Sequence, residues 1–235
     1  MAGRRLSSIG YLVENARWGV CMIRVCIVCE GVTEMEFVKS CLMPHLLDHG
    51  VLAYPSIVQA PSGRHRGGRV TVERLARFIS HEYHAADRLT TLVDFYGFQD
   101  ANGRTRQELE QDIFDGVVKH AAGVDRRFVR PYVQMHEFEG LLFSDVEQFQ
   151  CVLDGWDAGV RQTLIGIRSQ FPTPEDINNS RQTAPSKRIL AAFPDGSYNK
   201  TEHGPVIADA IGLATIRQEC PQFDSWMIML EGWGA

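Results

Sequence analysis

Ile23-Arg24-Val25-Cys26-Ile27-Val28-Cys29-Glu30-Gly31-Val32-Thr33-Glu34 is the stretch on which the fold turns. Residues 23–28 are short, β-branched and almost continuously apolar, the pattern of a strand covered on both faces. The strand runs directly into a carboxylate, a glycine and a second carboxylate, and Thr33 with Glu36 then matches a helix capping box. Phe37, Val38, Cys41, Leu42 and Leu46 give a helical stripe behind it, with Pro44 placed to kink or end the helix. Strand, tight turn and helix in this order make the first unit of an α/β protein. In an open parallel sheet all strands end on one edge, so side chains far apart in sequence meet there.

The same alternation continues downstream. Residues 54–59 read as a second strand, followed by the basic, glycine-rich Pro61-Ser62-Gly63-Arg64-His65-Arg66-Gly67-Gly68-Arg69. Val72, Leu75, Ala76, Phe78 and Ile79 mark a helix, and residues 89–95 form a third strand that leaves Asp94 at its end. Leu109, Ile113, Val117 and Val118 mark a further helix, and residues 128–134 a fourth strand leading into His136-Glu137-Phe138-Glu139. This order predicts right-handed crossovers and a mostly parallel sheet. Beyond residue 150 the pattern turns helical, with helices expected over 158–170, 185–193, 205–220 and 221–230. The organisation expected is an N-terminal extension (1–21), an α/β domain (22–150) and a helical part (151–235) packed on it. The first 21 residues show no periodicity: either Met22 is the functional start, or they form a short helix or strand against the domain.

Composition narrows the function classes. The chain has 235 residues, 44% hydrophobic and 23% charged, within the range of an ordinary globular protein with a proper core. Its net charge of -5 gives no global attraction to nucleic acid or anionic membrane, so any polyanion contact is local or bridged by cations. No apolar run approaches the roughly 20 residues of a membrane span, and the N-terminus does not read as a signal peptide. Six cysteines without a disulfide framework fit a reducing cytoplasm. Cys26 and Cys29 have CxxC spacing without a second pair, which leaves ordinary buried thiols or incidental redox reactivity.

Strand-end carboxylates suit a hard divalent cation, which takes one or two protein carboxylates together with substrate phosphate oxygens. Glu30 and Asp94 are placed to supply them, and Gly31 lets a phosphate or metal approach the backbone. Glu34 is either a further ligand or a first-turn acid favoured by the helix dipole. Glu137 and Glu139 share a face only if their segment is extended, and His136 is either a general base or structural. Arg64 and Arg66 suit bidentate phosphate contacts or a solvated loop. Lys187, Lys200 and His203, among the polar groups of the last helices, suit a phosphate or the surface. Asp145 reads as a helix cap.

Glu30-Gly31-Val32-Thr33-Glu34, Asp94-Phe95-Tyr96-Gly97, the run from Gln134 through His136-Glu137-Phe138-Glu139-Gly140 to Asp145, Ala184-Pro185-Ser186-Lys187-Arg188 and His203-Gly204-Pro205 resemble, in this order, a bacterial family. It is the domain of unknown function 4276 family, regarded as Toprim-like. The resemblance implies a small α/β sheet in which a glutamate follows the first strand and aspartates follow a later one. In Toprim nucleases, topoisomerases and primases these bind Mg²⁺ and act on phosphodiesters. It implies that Glu30 is the acid/base glutamate, Glu34 a second metal carboxylate of the nuclease branch, and Asp94 the first member of an Asp-x-Asp pair. Tyr96 stands where the second aspartate belongs, so metal binding is weaker or Glu137 and Glu139 compensate. The resemblance extends to the Toprim part of overcoming-lysogenization-defect nucleases, and members often encoded beside an ATPase imply such a partner in bacterial defence. The expected function is a Mg²⁺-dependent nuclease, with Mn²⁺ as an alternative ion and DNA favoured over RNA, with Glu30, Asp94 and His136 catalytic. The alternatives are a non-catalytic subunit that regulates an ATPase, or phosphoryl or nucleotidyl transfer to a small molecule. Oligomer formation is left open.

Overall fold

The computed structural model describes residues 22–58, 70–178 and 180–235. The expectations for residues 1–21 and for Arg64 and Arg66 therefore lie outside the described residues. A parallel sheet of order β2-β1-β3-β4 organises the rest, with β1 (Ile23–Cys29), β2 (Val51–Ile57), β3 (Arg88–Asp94) and β4 (Val129–Arg130), while β5 (Val133–Gln134) also pairs with β3. Val25, Ile27 and Cys29 of β1 enter one core and Cys26 and Val28 the other, as a two-residue side-chain period dictates. Cys26 and Cys29 thus lie on opposite faces of the sheet and cannot share a metal or a disulfide. Burial pushes the Cys26 thiol up to about 12 and Cys29 well above its ordinary value, which removes the thiolate that redox chemistry needs.

β2 starts three residues before its expected position, because Val51 and Ala53 fall in register with Ile23 and Val25. Among the described residues it pairs with β1 alone, and it contains Pro55. Gly50 O accepts from Ile23 N–H (3.1 Å) and Val58 N–H donates to Cys29 O (3.1 Å), so the even-numbered residues turn their backbone groups toward β1. Pro55 therefore faces away from β1, where its missing donor costs no ladder bond among the described residues.

After β1 the chain forms α1 (Val32–Phe37), a π-helical stretch (Val38–Leu42) and α2 (Met43–Asp48). Thr33 is not the cap. Gly31 is extended and helical backbone begins at Val32, so the side chain that reaches back is Glu34, whose Oε2 accepts from Gly31 N–H at 2.9 Å. Pro44 does not end the helix: the π stretch just before it relaxes the ladder where a proline removes a donor and crowds the preceding turn. The stripe Phe37, Val38, Cys41, Leu42 and Leu46 is buried as expected.

α3 (Val72–Glu82), capped by Thr71, and α4 (Arg106–His120), with a Thr105–Glu108 capping box, cover the face that carries Cys26 and Val28. The fourth strand, expected as one run over 128–134, is broken at Pro131-Tyr132. Thr91 bridges the gap: its Oγ1 accepts from Tyr132 N–H (2.9 Å) and donates to Tyr132 O (2.6 Å).

The opposite face is covered largely by the C-terminal helices α5 (Ala158–Arg168), α6 (Pro185–Ala192), α7 (Lys200–Ile211), α8 (Leu213–Glu219) and α9 (Pro221–Glu231). The helix expected over 205–220 is two helices, parted at Gly212, whose φ of 78° lies in the left-handed region. Ile207, Ile216, Phe223 and Leu230 share one core with Val25, Ile27 and Leu92. Trp226 stacks on Tyr132 (4.7 Å, 11°), and its Nε1–H donates to Thr90 Oγ1 on β3 at 2.9 Å. Trp226→Phe keeps most of the ring contact and removes that bond. The expected loss is about 1 kcal/mol in urea unfolding, typical of one buried hydrogen bond. Among the described residues no helix is long and apolar enough to cross a membrane.

Candidate functional site at the sheet edge

Glu30 leaves β1 with its N–H bonded to Leu92 O on β3 (3.4 Å), and Asp94 is the last residue of β3. The two carboxylates sit side by side because their strands are neighbours in a parallel sheet. Asp94 Oδ1 accepts from Phe138 N–H at 2.8 Å, which anchors the start of a 3-10 helix, Phe138–Ser144, that carries Glu139. The segment is thus not extended as pairing of Glu137 with Glu139 by strand alternation requires. Only Glu137 is extended, His136 has a φ of 63°, and the turn beyond closes with Gly140 N–H on Glu137 O (3.0 Å). Phe138 drives this geometry by burying its ring 5.1 Å from that of Phe37.

The helical turn delivers Glu139 by another route, to Lys200 Nζ at 2.9 Å. Glu137 Oε2 accepts from Ser186 N–H at 2.9 Å, at the start of α6. Glu30, Asp94 and Glu137, with Tyr96, Gly97, Gln99 and Lys200, line a cavity of about 490 Å³. Gly97 is what lets Glu30 lie here, since a Cβ at that position collides with the Glu30 carboxylate.

Among the described residues the acids at this edge outnumber the cations beside them. Glu30, Glu34, Asp94, Glu137 and Glu139 all feel Lys200, and Glu30 also feels Arg74. Burial pushes Glu34 and Glu139 up to about 7, Glu30 adding to the shift of Glu34 and Lys200 opposing that of Glu139. Burial raises Glu30 as well, and raises Asp94 well above the usual carboxylate range, with Glu34 and Glu30 adding to the effect on Asp94. Burial pulls Lys200 down, but Glu139, Glu137 and Asp94 outweigh it and hold the ammonium above the ordinary lysine value.

Glu175 shows what a buried structural acid looks like in the same molecule. It is 3% exposed, and its oxygens accept from Gln222 N–H (2.8 Å) and Phe223 N–H (3.0 Å) at the start of α9. Glu139 is 1% exposed, yet neither of its oxygens has a hydrogen bond of good geometry, its contact with Lys200 being an ion pair only; Glu30 Oε2 is equally buried and without a hydrogen bond. Orphaned buried carboxylate oxygens around a cavity are a donor set that fits Mg²⁺ or Mn²⁺. The expected convergence is partial, however. No trio of carboxylates at this edge has ligand atoms all within 4.8 Å of one another; among the described residues that distance is met by His45, His49 and Glu231 alone.

The other expected residues separate. His136 lies beside the cavity wall, with its ring 5.3 Å from that of Tyr96 and its Nδ1 buried without a partner, and burial lowers its pKa. The Tyr96 hydroxyl bonds to Asn178 Oδ1. Lys187 is exposed on α6 and is not among the residues lining the cavity. His203 is outside it too: its Nδ1 accepts from Asn199 N–H (2.9 Å), and its ring stacks on Tyr198 at 5.8 Å. Asp145 caps as read, accepting from Glu147 N–H (3.0 Å). Sequence reading missed Arg74, Gln99 and Tyr198. Tyr198 is buried, with an unpaired hydroxyl and a pKa raised by burial and by Glu139 and Glu137. None of the three has a motif of its own; the one available signal was the nearness of Tyr198 to Lys200 in sequence.

A model of a family described as a domain of unknown function (DUF4276) matches residues 29–231. A search among curated proteins gives no match. Among solved structures, the chain is similar to the C-terminal region of the Burkholderia pseudomallei OLD protein, at 15% identity and a TM-score of 0.47, over 91% of this chain and 97% of that one. It is also similar to the C-terminal region of the Xanthomonas campestris pv. campestris OLD protein, at 13% identity and a TM-score of 0.40, over 89% and 95%.

Proposed function

The chain belongs to the DUF4276 family, and from that premise we propose that it is a Mg²⁺-dependent nuclease of Toprim type, cleaving phosphodiester bonds with its sheet-edge carboxylates. The observation that carries this reading is the cavity lined by Glu30, Asp94 and Glu137, with Glu34 and Glu139 buried close by: among the described residues these acids outnumber the cations they face, and Glu30 and Glu139 keep oxygens without hydrogen-bond partners. Glu30, Asp94, Glu34, Glu137 and Glu139 would hold one or two ions. A bound Mg²⁺ or Mn²⁺ supplies charge neutralisation and polarisation at a phosphate.

The protein's own groups do the rest. Glu30, its pKa raised by burial and its side chain placed at the cavity wall, is the group to take up or return a proton. Asp94 orders the turn that carries Glu139. Lys200, paired with Glu139 and lining the cavity, places an ammonium where it would hold a phosphate oxygen. Nucleic acid is the proposed substrate, with DNA the first to test, and the resemblance read from the sequence supports a partner ATPase in bacterial defence.

Gly97→Ala tests the placement of Glu30. A methyl group there displaces the carboxylate, and a shift of about 1 Å at a reacting group costs about 10²-fold in turnover. Unchanged cleavage in that variant would dissociate Glu30 from the chemistry.

A second reading, a non-catalytic subunit regulating an ATPase, is favoured by Tyr96, which stands at the second-aspartate position with its hydroxyl bonded to Asn178. Cleavage of plasmid DNA with Mg²⁺ or Mn²⁺ against a chelated control decides between them, together with calorimetry of metal binding. Absence of both cleavage and carboxylate-dependent binding at millimolar metal leaves the regulatory reading.

A further inference from the structure

We propose that His45, His49 and Glu231 form a second metal site, for a borderline transition cation of the Zn²⁺ class, which ties the C-terminal helix to α2. His45 and His49 are four residues apart at the end of α2, a spacing that sets both imidazoles on one side. Their ring centroids are 4.6 Å apart. Glu231 ends α9 and brings its Oε1 to 2.6 Å from His45 Nε2. One ligand atom from each residue lies within 4.8 Å of the others.

The surroundings are those of metal ligands. His49 Nδ1 is 2.9 Å from the His45 carbonyl oxygen. A carbonyl only accepts, so Nδ1 carries the proton and the Nε2 lone pair of His49 is left for a ligand. Imidazole ligands are usually oriented in this way, through the second ring nitrogen. Arg217 grips the carboxylate, with Nη2 3.3 Å from Glu231 Oε2 and Nη1 on Oε1, and is itself held by Asp224 (2.5 Å). Glu231 is therefore positioned by a group outside the ligand set.

The chemistry differs from that of the sheet edge. Two imidazole nitrogens and one carboxylate suit Zn²⁺, Co²⁺ or Ni²⁺, whereas an all-carboxylate set suits Mg²⁺ or Mn²⁺. Ligand bonds of about 2.0–2.2 Å require the trio to draw in slightly from its present spread and leave a fourth position to water. None of the three residues lines the carboxylate cavity. At the site the turn from α2 into β2 packs on the C-terminal tail so tightly that a Cβ at Gly234 collides with the His49 carbonyl. An ion bound here cross-links residues 45 and 231 and selectively stabilises the folded state.

The test is Zn²⁺ titration of the full chain, stripped by chelator and held in excess Mg²⁺ to occupy the carboxylates, with Co²⁺ as the spectroscopic probe. One equivalent of Zn²⁺ is expected, with the visible bands of tetrahedral Co²⁺ and a rise in Tm on adding Zn²⁺. His49 is exposed, so His49→Ala is expected to stay folded, to bind at least about tenfold more weakly as loss of a ligand dictates, and to lose the rise in Tm. His45→Gln is expected to behave alike. No Zn²⁺ uptake in excess Mg²⁺, or unchanged affinity in folded His49→Ala and His45→Gln, overturns the proposal.

Discussion

Glu30→Gln is expected to lower Mg²⁺- or Mn²⁺-dependent DNA cleavage by about 10²- to 10⁴-fold, the usual worth of a positioned acid or base, with the fold intact. The amide has the shape of the acid and cannot exchange the proton. Glu30 Oε2 has no hydrogen bond, so the substitution breaks none there. It also removes a carboxylate whose charged form burial and Glu137 disfavour, so stability at neutral pH is expected to hold or rise. Cleavage assays read beside circular dichroism and Tm separate the two effects. Full activity in a folded Glu30→Gln protein removes the nuclease mechanism proposed here.

The second large effect is on stability. In the metal-free protein, Glu34 and Glu139 titrate near 7 in the folded state against an ordinary value of 4.5, so between those values the native state binds more protons than the unfolded state. Stability must then fall as pH rises through that window and be fully present below about 4.5. Each carboxyl shifted by this much corresponds to on the order of 3 kcal/mol, less whatever the acids share through their mutual coupling. His136, lowered by burial, works in the opposite direction below its ordinary value of 6.5. Urea unfolding in chelator is therefore expected to show a more stable protein at about pH 5 than at about pH 7.5. Added Mg²⁺ is expected to restore much of the difference at the higher pH by neutralising the same carboxylates. A flat or rising profile across the window would mean that these acids are solvated rather than buried together.

Most of the fold was legible because local pattern and tertiary packing agree. Residues 23–28, the stripe from Phe37 to Leu46 and the helices Val72–Glu82 and Arg106–His120 stand where periodicity places them. The errors arise where something non-local intervenes. Thr33 is a good cap residue, but the extended backbone of Gly31 starts the helix one residue ahead of it. Pro131 splits a strand pattern that was otherwise continuous, and the Thr91 side chain that mends the gap is 41 positions away from Tyr132. Gly212 divides a helix whose apolar spacing runs straight through it.

The candidate site was partly legible for the same reason. Glu30 and Asp94 follow from strand ends and parallel order, and membership of the family was read correctly from motifs in series. Glu139 does not reach Lys200 by the strand alternation that pairing with Glu137 requires, because Phe138 seeks the core and winds the segment into a turn. Gln99 reaches the cavity, Arg74 comes near Glu30 and Tyr198 near Glu139 by packing that no spacing encodes. His45 and His49 went unnoticed because their third partner is 182 positions beyond His49.

Pro55 has a consequence beyond its own strand. Among the described residues β2 is the border of the sheet, and its odd-numbered residues present their backbone groups to whatever approaches. In the middle of that row there is a ring and no donor. A foreign strand that began to zip onto this border would lose its register bond at Pro55, so growth of the sheet from one molecule into the next is interrupted at its midpoint.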